Sequence, residues 1–107
     1  MDAHVNDTDL QASLARSLSD TAGKDMAAGT GLQAARLAVQ YAQRLGLPEQ
    51  ALCAAAWACI HLTRLGQHAQ MLQEAQALQE ALAAQESPEL RLLRRELLRC
   101  MTLSGAE

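Results

Sequence analysis

The run Gly46-Leu47-Pro48-Glu49-Gln50-Ala51-Leu52-Cys53-Ala54-Ala55-Ala56-Trp57-Ala58-Cys59-Ile60-His61-Leu62-Thr63-Arg64-Leu65-Gly66 decides the fold. Its first glycine stands where a helix ends in a left-handed residue, and Pro48, two positions on, suits the first turn of the next helix because its missing N–H has no intrahelical partner there. From Ala51 to Ile60 the segment is hydrophobic almost all round. Such a helix must be wrapped by neighbours on more than one side. Gly66 then ends it.

Composition points the same way. Among 107 residues there are 22 Ala, 19 Leu and 11 Gln, but only three Val or Ile, and Trp57 and Tyr41 are the sole aromatics. Sheets favour β-branched and aromatic side chains, whereas Ala, Leu, Gln, Arg and Glu form helices readily. The fold class is all-α, and at this length one small domain. Half the residues are hydrophobic, so the chain can bury a core and is not disordered by composition. Charged and amide side chains interrupt every apolar run well short of a membrane span. The polar start Met1-Asp2-Ala3-His4 has no apolar signal region, and Cys53, Cys59 and Cys100 read as reduced core residues of a cytoplasmic protein. A net charge of −3 argues against a nucleic-acid partner, which needs clustered positive charge.

Working outward, residues 1–7 are polar and expected to fray. Asp7 or Thr8 can cap a first helix carrying Leu10, Leu14 and Leu18 on one face. Thr21 to Gly31 holds Gly23, Gly29 and Gly31 and reads as a loop or loosely helical connection. From Leu32 a stripe of Leu32, Ala35, Val39, Ala42 and Leu45 runs to Gly46. Beyond Gly66 a fourth helix carries Met71, Leu72, Ala75, Leu78 and Leu82, with Gln70, Gln73, Glu74 and Gln76 facing water. Ser87-Pro88 opens a fifth, with Leu90, Leu93, Leu97 and Met101 as its stripe. Leu52, Trp57, Ile60, Leu72, Leu78, Leu93 and Leu97 are the expected core. Leu92, Leu98 and Leu103 fall off the main stripe and suggest burial against a helix the sequence does not supply.

The punctuation recurs: the two prolines, Pro48 and Pro88, are forty residues apart, and Leu65-Gly66 and Ser104-Gly105 close helices thirty-nine apart. Two short-looped helices per such period mark a helical-repeat stack. The segment Ala35 to Leu82, with Leu62 and the turn Leu65-Gly66, resembles tetratricopeptide (TPR-like) repeats of the longer bacterial kind. It departs from that pattern at Cys59, His68, Met71 and Ala75. The resemblance covers residues 32–107; residues 1–31 form an N-terminal helix and glycine-containing connection within one compact domain. It implies about five helices in antiparallel pairs, a right-handed stack, and a concave face that binds peptides or partner helices. It is similar to regulatory segments ahead of catalytic domains in bacterial signalling proteins, diguanylate cyclases among them. Two alternatives are a free-standing secretion-chaperone-like adaptor holding a helical client, and a homodimerisation element.

Catalytic and metal chemistry find no footing. Cys53 and Cys59 are six apart, and no C-x₂-C or H-x₃-H spacing occurs. Cys59 and His61 project to different sides of their helix, so they form no dyad, and no phosphate-binding glycine loop exists. We expect no enzyme, no cofactor and no metal. His61 reads as a rim residue one turn from Trp57. The run Arg91, Arg94, Arg95, Arg99 covers one side of the last helix, either as a solvated face or as a site for acidic partners, since guanidinium forks match carboxylates. The expected partner contacts are His61, Arg64 and His68 near one loop end, and Arg91, Arg95 and Leu98 on the last helix.

Overall fold

The computed structural model describes residues 7–23, 27–85 and 87–105. Of the fraying expected over residues 1–7, positions 1–6 lie outside them, while Asp7 is already helical. Five helices follow one another: α1 Asp7–Ala22, α2 Ala28–Leu45, α3 Pro48–Arg64, α4 His68–Ala83 and α5 Pro88–Gly105, with no strand among the described residues. None is long and apolar enough to cross a membrane.

Two turns repeat one piece of backbone chemistry. Gly46 and Gly66 take φ of 70° and 77°. Gly46 N–H donates to Gln43 O and Leu47 N–H to Ala42 O. Gly66 N–H likewise donates to Thr63 O and Gln67 N–H to Leu62 O. Both are Schellman closures that use up carbonyls left free at a helix end, and a side chain at either glycine would strain the left-handed backbone. Pro48 and Pro88 open α3 and α5 at positions where no N–H is needed.

The connection expected over Thr21 to Gly31 is shorter than the glycines suggest: α1 runs to Ala22, and Gly29 and Gly31 lie inside α2. Packing overrides propensity here, because the His61 ring occupies the space a Gly31 side chain would need.

Helix α3 packs against all four other helices, which is what its all-round apolar surface requires. Chain neighbours pack on each other, α1 also meets α3, and α3 also meets α5, whereas α2 and α4 make no close backbone approach among the described residues. Toward α1 and α2 the core is made of small residues: Leu14 closes over Ala38, Ala42 and Ala54. Toward α4 and α5 it is built from larger ones, Ile60, Leu62, Met71, Leu82, Leu90, Leu93 and Leu97. Of the expected core, Ile60, Leu93 and Leu97 are buried, while Leu52, Trp57, Leu72 and Leu78 pack against the cluster half-buried. Glu74, expected to face water, instead bonds through both carboxylate oxygens to Arg36 of α2, at 2.7 and 2.9 Å. That fork spans the gap between α2 and α4.

Candidate functional site

On α5 the buried positions Leu90, Leu93, Leu97, Cys100 and Ser104 form one stripe. About a third of a turn away, Arg91, Arg94, Arg95 and Leu98 follow at intervals of three, one and three and so share a second face. That face looks across to Leu82, Ala83, Ala84 and Gln85 at the carboxyl end of α4, and the two enclose an open cleft of about 490 Å³. Three guanidiniums and no carboxylate line it among the described residues. Ala83 and Ala84 bring the negative end of the α4 dipole to the cleft, and no basic residue lies in the last turn of α4 itself. The arginines of α5 supply that charge, which offsets part of their mutual repulsion.

The sequence-predicted contact residues separate into three groups. Arg91, Arg95 and Leu98 meet in this cleft. Arg64 and His68 are elsewhere: His68 Nδ1 lies 2.7 Å from Ser104 Oγ, and Arg64 sits exposed at the end of α3. Its charge reaches Glu96, whose carboxyl is held below the usual range chiefly by its bonds from Arg99, with a smaller contribution from Arg64.

His61 is a correction. It is fully buried rather than on a rim. Its Nε2 donates to Thr21 O of α1 at 2.7 Å, and Thr21 Oγ1 donates to Gly31 O of α2 at 2.8 Å. A proton on Nε2 leaves Nδ1 as an acceptor, and that atom is buried without a hydrogen-bond partner. The ring stands 6.0 Å from that of Trp57. His61 therefore clamps three helices together and is closed to any partner. One turn of spacing placed it beside Trp57, but nothing in the local pattern reveals which neighbour covers that side.

Arg99, grouped with the other arginines in the sequence, turns away from the cleft and pairs with Glu96. Arg94 takes its place; the three-and-four spacing of positions 91, 94, 95 and 98 was the available signal. The contribution of Leu82 to Gln85 had none, since it depends on how α4 and α5 cross.

Two smaller clefts lie among α1, α3 and α5. One, about 400 Å³, is lined in part by Leu14, Leu18 and Gln50; the other, about 200 Å³, includes Cys53 and Glu89. Burial pushes the Cys53 thiol up to about 12, with Glu89 adding to it, and burial does the same to Cys59. These are poor nucleophiles, because the thiolate is the reactive form. Comparison of the chain with protein-family models, curated proteins and solved structures gives no match.

Proposed function

We propose that this chain is a non-catalytic protein-interaction module that recognises an acidic, amphipathic segment of a partner protein through the cleft between α4 and α5. One observation carries the reading: Arg91, Arg94 and Arg95 stand together around Leu98 with no ion-pair partner among the described residues, whereas Arg36 and Arg99 each hold a glutamate. Planar guanidinium forks accept carboxylates in two parallel bonds. Acidic residues spaced three or four apart on a partner helix would meet them in register, and an apolar residue between those acids would rest on Leu98. A regulatory segment of a bacterial signalling protein, as the TPR-like resemblance implies, is the setting we assign to this recognition. The succession of contacts from α1 to α3 to α5 supports the repeat reading.

The arginines are exposed, so each pairing is worth about 0.2–1 kcal/mol and acts more on association rate and specificity than on affinity. Binding should therefore weaken as salt rises. The test is fluorescence anisotropy with a synthetic helical peptide carrying Glu at three- and four-residue spacing around a central Leu, compared with its Gln counterpart. Replacing Arg91, Arg94 and Arg95 together by Gln should weaken binding roughly tenfold or more and flatten the salt dependence. Equal binding of both peptides, or binding indifferent to the triple replacement, would sink the proposal.

A further inference from the structure

We infer that the outer face of α5, Leu92-Glu96-Arg99-Leu103, is a self-complementary seam through which two copies of this chain pair antiparallel. These four residues follow at intervals of four, three and four, so they line one narrow stripe of the helix, as the seam positions of a two-helix coil do. The stripe lies off both the buried stripe and the arginine cleft: Leu92 and Leu103 are 63% and 53% exposed, the two most exposed large hydrophobics among the described residues. Between them, Glu96 and Arg99 form an ion pair on the surface.

The order of the four residues chooses the occupant. A two-fold axis beside the midpoint between Leu97 and Leu98 sets Leu92 against the partner's Leu103, and Glu96 against the partner's Arg99. Each apolar end then covers an apolar end, and each charge meets its opposite. A two-fold interface must match a surface to itself in this way. Parallel pairing in register would instead put Glu96 against the partner's Glu96 and Arg99 against the partner's Arg99, so the central charges specify direction as well as register. In the free chain Glu96 and Arg99 satisfy each other, and on pairing each exchanges that bond for one across the axis. Arg64, at the end of α3, adds a smaller favourable electrostatic pull on Glu96.

The seam is short, roughly 16 Å along the helix. It buries less than a standard interface of about 1,200–2,000 Å², so a dissociation constant on the order of 10–100 µM is expected. The arginine cleft lies on a different face and stays open in the pair, so the inference stands independently of the function proposed above.

Sedimentation velocity of the 107-residue chain, from about 5 to 500 µM, tests it. The mass should rise from one copy toward two. Glu96→Arg and Arg99→Glu should each weaken association roughly tenfold or more, because the axis makes each change count twice. The double variant Glu96→Arg/Arg99→Glu should restore it, since every cross-axis pair is again opposite in sign. Arg91→Gln/Arg94→Gln/Arg95→Gln should leave it unchanged. All replaced residues are exposed or at the surface, and far-UV circular dichroism should show folded helices throughout. A chain monomeric over the whole range overturns the inference, as does a dimer indifferent to the single reversals or a double variant as dissociated as the singles.

Discussion

At Gly31 a single missing carbon decides how three helices fit. A Cβ built there falls 2.5 Å from His61 Nε2 and 2.9 Å from Nδ1, and the ring, fully buried and tied to Thr21 O, has nowhere to go. Gly31→Ala should therefore destabilise by about 1–3 kcal/mol, the usual cost of overpacking a filled core. Gly29, two residues earlier on the same helix, has nothing within 4 Å of such a carbon. Gly29→Ala should be neutral or stabilise by up to about 1 kcal/mol, because it only restricts the unfolded chain and improves helix propensity. Urea denaturation of the two variants checks the contrast, and equal effects would mean the ring is not fixed where it stands. The cysteines make a second prediction at this scale. With the Cys53 and Cys59 thiols raised to about 12 by burial, almost no thiolate exists at pH 8. Both should resist alkylation in the native state and react promptly in denaturant, as intact-mass measurement would show. These residue-level facts were not legible in the sequence, where two glycines in one turn look alike and a histidine on an apolar helix can face any neighbour.

Among elements, the Arg36–Glu74 fork is the one side-chain link that spans α2 and α4 among the described ion pairs. Bonding to Arg36 holds the Glu74 carboxyl below its usual range, helped by Gln70. The folded carboxyl is then more acidic than the unfolded one, so its contribution is complete above the unfolded value near 4.5 and disappears as pH falls through the lower folded value. Both side chains are partly exposed, which limits the contribution to about 0.2–1 kcal/mol after solvent screening. Glu74→Gln should lower the melting temperature at pH 7 by a few degrees at most, and the gap from the parent should close as pH falls through the lowered folded value. A gap unchanged at acid pH would assign the effect to something other than the charge. Element boundaries were largely readable here. Gly46, Pro48, Gly66 and Pro88 fix them through backbone geometry, which is local. The α4 residue paired with Arg36 lies 38 positions away and was read as solvated, because a helical pattern shows which face is polar but not which distant polar group crosses to it. The arginine cleft divides in the same way: its α5 side follows from spacing, and its α4 side comes only from tertiary packing.

For the whole molecule the decisive asymmetry is between the two halves of the core. On one side α1 rests on alanines, Ala38, Ala42 and Ala54, through Leu14 and Leu18, while on the other α4 and α5 close over Leu62 of α3 through Met71, Leu82, Leu93 and Leu97. Small residues let backbones approach closely, yet each buries little apolar area, and stabilisation follows area at about 25 cal/mol per Å². Among the described residues the backbone of helix α1 comes close only to α2 and α3, whereas that of α3 approaches every other helix. Local opening should follow that order, with α1 released at a lower free energy than the rest and α3 freed only with the whole fold. The buried link from His61 to Thr21 limits this at one end: release of α1 must break the Nε2 bond and expose an already unpartnered ring nitrogen to water. The amino-terminal turns of α1 should therefore exchange amide hydrogens fastest, its last turn more slowly, and the middle of α3 slowest of all. Native-state hydrogen exchange at low denaturant resolves these three rates. His61→Ala should level the gradient along α1 by removing its anchor, while leaving the protection of α4 and α5 nearly as it was. If α1 instead exchanged in step with α3 in the parent protein, the alanine-faced half would be as cooperative as the leucine-faced one, and close backbone packing would have to count for more than buried area.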